Sequence, residues 1–276
     1  IRRKNVGEML LWSALHSDQA EFAITLAPQN PREFKWYDHW RNNAKDLNLP
    51  CWWDLGSANG LDFLGNLAAS DAILTTSVAE GFGMVFLEAW LGNRPLFGRN
   101  LPSITADFVD EGIELPTLYD RIQIPNQWID RNQFKESVRE CLNPLLEAYG
   151  LPRLNSGELD ILVESKIQSG GFDFGELDEE MQMQVIQRVH ANSTAREELL
   201  AENPSLDLST ADQSELIAEN KAIIREKYSL TGSGERLFAI YRNLLDSSPS
   251  EIEPLLSSDG ILSAFLDPQK FRLIRS

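Results

Sequence analysis

Helix-period and strand-like segments alternate over the first hundred residues, which predicts an α/β protein: a Rossmann-like parallel sheet with helices on both faces. The glycines Gly81 and Gly83 agree with this. They fall where an apolar strand-like run (Ala72-Ile73-Leu74-Thr75-Thr76) passes into an apolar helix, the kind of junction at which open parallel sheets bind ligands. Size is the third observation. With 276 residues, 42% of them hydrophobic, the chain can build one large core, or one core with an appendage.

Each element follows from local chemistry. Asn5 and Glu8 stand at capping-box spacing, and Val6, Met9, Leu10, Ser13 and Ala14 form a 3.6-period stripe, so a first helix begins at Val6. Glu21-Phe22-Ala23-Ile24-Thr25-Leu26 is a short apolar strand. Asn30, Pro31 and Glu33 supply an N-cap, a proline at the first helical position and a glutamate at the third, predicting a helix from 31 to about 48. Cys51-Trp52-Trp53-Asp54 reads as the next strand, and Leu61, Leu64 and Ala68 as a helix face. The strand at 72–76, the helix opened by Gly81 and the strand Pro95-Leu96-Phe97 complete the alternation. Lys4, the 53–60 loop, the 77–83 turn and the 99–104 loop then border strand C-termini and converge on one rim. Trp36, Trp40, Trp52 and Trp53 suit base stacking, but aromatics on a helix beside a strand more often belong to the core.

Two carboxylates, Glu80 and Glu88, frame the glycine pair. If the helix starts at Gly81, Glu88 lies two turns in, about 11 Å further along. A helix dipole alone accounts for a glutamate at the first turn, as for Glu80. Glu88, among Val85, Phe86, Leu87 and Trp90, needs a polar partner, and a ribose diol is a suitable one. Gly81 and Gly83 would let a ligand approach the backbone, with unpaired N–H groups facing it. The dinucleotide fingerprint fails at Phe86, and no Walker A sequence occurs.

Residues 77–88, Ser77-Val78-Ala79-Glu80-Gly81-Phe82-Gly83-Met84-Val85-Phe86-Leu87-Glu88, resemble the E-x7-E signature of retaining glycosyltransferases of family 4 and its relatives, which have the two-Rossmann-domain GT-B architecture. Upstream, Ser70-Asp71-Ala72-Ile73-Leu74 is similar to the strand before that signature, and Ser77 takes the place of its serine. Downstream, Glu88-Ala89-Trp90-Leu91-Gly92-Asn93-Arg94-Pro95-Leu96 is similar to the helix-to-strand passage after it. Arg2-Arg3-Lys4-Asn5-Val6-Gly7-Glu8 resembles the basic element that opens the donor domain.

The resemblance implies the C-terminal, nucleotide-sugar-binding half of a GT-B enzyme. It would transfer a hexose, with retention, from a nucleoside diphosphate to an unknown acceptor held by an N-terminal acceptor domain that the chain lacks. Lys4 and a nearby arginine, for which Arg2 is the stand-in, would neutralise the leaving diphosphate. Ser77, Gly81, Phe82 and Gly83 would line the donor, Glu88 would grip the ribose, and Glu80 would bond sugar hydroxyls and favour oxocarbenium charge. Arg99, in the loop Gly98-Arg99-Asn100-Leu101-Pro102, would lie near the donor phosphates, although the Gly-Gly of many relatives is absent there. No D-x-D pair occurs, which fits metal-independent chemistry with no cofactor beyond the donor. A sugar-nucleotide epimerase of the same fold is one alternative. A non-catalytic partner-binding protein on a relict donor domain is another.

A formal charge of −17 argues against nucleic-acid or anionic-membrane partners, which need clustered Lys and Arg. The charge is spread along the chain: residues 1–115 carry 9 basic and 15 acidic side chains (net −6) and residues 116–276 carry 16 and 27 (net −11). Arg2, Arg3 and Lys4 form the best cationic cluster. Two cysteines, Cys51 and Cys141, give neither a disulfide framework nor zinc spacing, so a reducing, cytoplasmic setting is expected. No apolar run approaches the ~20 residues that span a bilayer. The opening on an isoleucine inside a motif reads as a fragment.

The expected organisation is a donor-binding domain at 1–125, a mainly helical acidic insertion at 126–214, closing helices at 215–246 and an extension at 247–276. Tyr119-Asp120-Arg121-Ile122-Gln123-Ile124-Pro125 reads as an edge strand, and 133–149 as a helix interrupted near Pro144. Asp173-Phe174-Gly175 matches a kinase triplet, but no glycine-rich or catalytic loop accompanies it, so it reads as coincidence. The final closing helix is expected to present an unpaired apolar face.

Overall fold

The computed structural model describes residues 2–58, 60–167, 170–208, 212–246 and 259–275. A 3₁₀ turn at Arg2–Lys4 leads into α1 (Val6–Leu15), β1 (Phe22–Ala23), a 3₁₀ turn at Pro31–Glu33 that runs into α2 (Phe34–Asp46), and β2 (Cys51–Trp52). Next come α3 (Leu55–Ala58), α4 (Phe63–Ala69), β3 (Ile73–Thr75), α5 (Val85–Leu91), β4 (Leu96–Arg99), α6 (Pro102–Asp110) and β5 (Leu118–Tyr119). The start of the second helical segment follows its sequence signal: the Asn30 side chain accepts the Arg32 N–H, with Pro31 at the first helical position.

The strands pair in parallel, β1 with β2, and β3, β4 and β5 in that order. They form two short sheets rather than the single sheet expected, because each strand is only two to four residues long among the described residues. Gly98 is what brings β4 onto β3. Its φ is +123°, and a Cβ there would lie 1.9 Å from the Thr75 carbonyl oxygen.

Several local expectations are corrected. All ten residues of α1 are buried, so the helix is enclosed rather than striped. Asn5 is left-handed (φ 50°, ψ 56°) and its side chain makes no cap bond; its Nδ2 donates instead to Glu8 Oε2 at 2.7 Å. In α4 the buried residue is Leu67, while Leu61 and Leu64 face outward. The helix of the glycine motif begins at Val85, not at Gly81. Residues 119–125 divide between β5 and β6 (Gln123–Pro125), which belong to different sheets. The following helix, α7 (Arg131–Ala148), continues through Pro144.

Past β6 the chain adds α8 (Ser156–Lys166), β7 (Gly171–Asp173), α9 (Glu179–Ala191) and α10 (Ser193–Glu202), with β7 antiparallel to β6. This helical region supplies the cover of the fully buried α1. Helix α9 packs on α1, and Phe134, Phe172, Phe174, Met181 and Ile186 share one core with Leu10, Leu11 and Trp12. A second cluster, including Phe86, Trp90, Leu96, Phe108 and Ile224, joins α5 and β4 to α11 (Ser214–Lys227). Helix α12 (Leu230–Asp246) has no buried residue and leaves Phe238, Tyr241 and Leu245 exposed, as expected for an unpaired face. The link predicted after Ser247 lies outside the described residues; beyond it, α13 (Asp259–Phe265) precedes a chain end whose Leu273 and Ile274 are buried.

Candidate functional site

The C-terminal end of β3 carries the candidate site. From there, Thr76 Oγ1 donates to the Lys4 carbonyl (2.9 Å), and the Val78 N–H donates to the Arg3 carbonyl (2.9 Å). These bonds stitch the basic Arg2–Lys4 turn to the segment after the strand, and they bring the predicted cation to the predicted carboxylate. Lys4 Nζ donates to Glu80 Oε1, the Ser77 hydroxyl donates to the same oxygen at 2.6 Å, and Arg3 Nη1 lies 3.6 Å from Glu80 Oε2. The Glu80 side chain is only 10% exposed, whereas those of Lys4 and Arg3 are 47% and 51% exposed, so the carboxylate is the inner member and the cations face solvent.

Burial pushes the Glu80 carboxyl up. The hydrogen bonds from Lys4 and Ser77, with the charges of Lys4 and Arg3, more than offset it and hold the group below its ordinary value. It is therefore an ionised acceptor already engaged by cations.

The two glycines differ in kind. A Cβ at Gly81 would meet nothing within 4 Å, so packing does not demand that glycine, and the space beside it is open. Gly83 has φ +65°, and a Cβ there would come within 2.5 Å of Ile104 and 2.9 Å of Phe86. Between them, Phe82 is 86% exposed. The expected helix start on Gly81 moves to Val85, where the Phe86 N–H donates to the Gly83 carbonyl and those of Leu87 and Glu88 to that of Met84.

With the helix starting at Val85, Glu88 lies in its first turn. It is half-buried, and its carboxylate has no hydrogen bond or ion pair among the described residues.

Two predicted site residues are drawn elsewhere. Arg2 donates to both oxygens of Glu179 on α9 (2.6 and 2.8 Å), and its guanidinium sits 4.6 Å over the Trp36 ring. Arg99 is not in an open loop but ends β4, 1% exposed. Its Nη2 donates to Glu8 Oε2 (2.6 Å) and Asp173 Oδ1 (2.9 Å), and its Nη1 to Asp173 Oδ2 (2.8 Å) and the Asp120 carbonyl (3.2 Å). An arginine inside an apolar core needs paired carboxylates, and this one has two.

Sequence reasoning missed the Glu8 and Asp173 partners. Asp173 belongs to the triplet set aside as coincidence: Phe174 is fully buried, and a Cβ on Gly175 would lie 2.8 Å from the Arg99 guanidinium. The available signal was Arg99 itself, a permanent charge at the end of an apolar strand. Burial pushes the Glu8 carboxyl up against the opposing pull of Arg99, whereas Asp173, also raised by burial, is brought below its ordinary value by Arg99, Arg272 and the Ile122 N–H.

Among the described residues no cluster of three or more His, Cys, Asp or Glu side chains is placed to hold a metal ion, and no helix is long and apolar enough to cross a membrane.

The turn after β3 thus carries Glu80 with Lys4 and Arg3 folded onto it, Glu88 follows in the first turn of α5, and the chain is similar to a known synthase. That relative is mannosylglucosyl-3-phosphoglycerate synthase of Petrotoga mobilis (strain DSM 10674 / SJ95), 23% identical over 289 residues. The alignment covers 100% of this chain and 54% of the relative, so the chain spans about half the relative's length. No protein-family model matches the chain. No solved structure matches it either.

Proposed function

We propose that this chain is the donor-binding half of a retaining, nucleotide-sugar-dependent glycosyltransferase of GT-B type, working without a metal and in the cytoplasm. The observation that carries the reading is the pair of carboxylates within one motif: Glu80, held by Lys4, Arg3 and Ser77, and Glu88, half-buried and without a partner among the described residues. A half-buried carboxylate with no protein donor is suited to accept hydrogen bonds from a ligand, and the ribose hydroxyls of a nucleotide supply two.

In this reading Lys4 and Arg3 provide the local positive potential that a diphosphate needs in a chain of net charge −17. The donor phosphates take over Lys4 from Glu80, and Glu80 then accepts from the sugar hydroxyls. Its negative charge opposes the positive charge that grows on the anomeric carbon as the bond to phosphate breaks, an effect strongest where water is excluded. Open space at Gly81 admits the sugar to the backbone. The relative's similarity supports glycosyl transfer in general.

The test is calorimetric titration of the chain with UDP, GDP and ADP and with their glucose and mannose conjugates. Binding of at least one nucleotide, weakened by Glu88→Gln, is expected. Failure of all of them to bind a folded chain would overturn the reading.

A further inference from the structure

We propose that the segment 267–275 is the positioning element for Lys4, the cation of the donor site; this rests on the donor-site reading above. The Arg2–Lys4 turn contains no buried residue, and its side-chain anchors on Glu179 and Trp36 act on Arg2 rather than on Lys4. The 3₁₀ turn Leu273–Arg275 packs against it, and also against α7 and the Phe174–Glu176 turn. Leu273 and Ile274 are 1% and 2% exposed, burial out of proportion to so short a segment.

Polar contacts hold the segment in place. Lys166 Nζ donates to the Gln269 and Phe271 carbonyls (2.9 and 2.8 Å), and Arg272 Nη1 lies 2.9 Å from Glu176 Oε1 and 3.5 Å from Asp173 Oδ2. Through Asp173 the tail enters the buried network. Asp173 binds Arg99, Arg99 binds Glu8, and Glu8 accepts from Asn5 Nδ2, on the residue next to Lys4. Gln182 Nε2 holds the other side of Asn5, donating to Oδ1 at 2.9 Å. Asn5 is left-handed, a conformation that a non-glycine residue keeps when its surroundings enforce it. The segment therefore acts on Lys4 twice, by packing against the turn and through the chain of ion pairs and hydrogen bonds that holds Asn5.

The experiment has two arms. In the first, amide hydrogen exchange of the whole chain is compared with that of Arg272→Gln and, separately, Ile274→Ala. The Asn5 N–H, bonded to the Arg2 carbonyl, and the Val78 N–H, bonded to the Arg3 carbonyl, should exchange roughly tenfold faster, while amides of α5 and α11 keep their rates. Unchanged exchange at Asn5 and Val78, or uniform acceleration everywhere, would overturn the proposal.

In the second arm, GDP and UDP are titrated into wild type, Lys4→Ala, Arg272→Gln and the double variant. If the tail works through Lys4, Arg272→Gln weakens binding several-fold in the wild-type background and has no further effect once Lys4 is gone. Additive losses would overturn it. Absence of nucleotide binding by the wild type would sink the donor-site reading alone, and the exchange arm would still decide the role of the tail.

Discussion

Glu8 and Arg99, 91 residues apart in sequence, meet at 2.6 Å inside the core, where the guanidinium is 1% exposed and the carboxylate 0%. The contact ties α1 to β4, and Asp173 ties the same guanidinium to β7.

Removing Arg99 leaves two buried carboxylates facing each other. Arg99→Met should cost about 3–5 kcal/mol of stability, the range for breaking a buried pair from one side. Urea unfolding measures it. A loss of donor affinity with stability intact would instead return Arg99 to the phosphate-binding role expected from the sequence.

The two glutamates of the turn should separate by ligand. Glu88→Gln should weaken a nucleoside diphosphate and its sugar conjugate alike, by about 1.5–3 kcal/mol for lost charged hydrogen bonds. Glu80→Gln should remove only the extra affinity of the conjugate. Calorimetry of each variant against each ligand decides, and identical profiles would dissolve the assignment of roles. Since the Glu88 carboxylate has no partner among the described residues, its variant should unfold at the wild-type urea midpoint.

Lys4→Ala should cost about 1.5–3 kcal/mol of nucleoside diphosphate affinity, the range for a charge-assisted hydrogen bond. The same titrations read it. Unchanged affinity would make Lys4 only the surface partner of Glu80.

Glu80 also makes stability depend on pH. Its folded value lies below the ordinary 4.5, so the ionised group adds stability that is fully present above about pH 4.5. That contribution is lost as pH falls through the lower folded value. The difference in urea midpoint between wild type and Glu80→Gln should therefore shrink as pH falls below about 4.5. A difference independent of pH would show that the Lys4 and Ser77 bonds add nothing to the folded state.

On α12, Leu230 and Leu245 are 94% and 85% exposed. Leu245→Lys should change stability by less than about 0.5 kcal/mol, as for a surface position. A loss well above about 1 kcal/mol in thermal unfolding would mean that this face is covered in solution.

The sequence by itself determined the elements and the turn. Periodicity placed α1 and an apolar run placed β3, Asn30 and Pro31 started the second helical segment, and the spacing of Ser77, Glu80, Gly81, Gly83 and Glu88 marked the candidate site, because these features are written in neighbouring residues. Only the tertiary structure decided which charges are spent on the fold. Arg2 and Arg99 read as phosphate ligands in a linear chain, yet Glu179 and Asp173, 177 and 74 residues away, claim them. Lys4, separated from Glu80 by 76 residues, reaches the candidate site together with Arg3. The reason is desolvation: a buried cation must find its carboxylate wherever packing delivers one, and packing joins residues without regard to their distance along the chain.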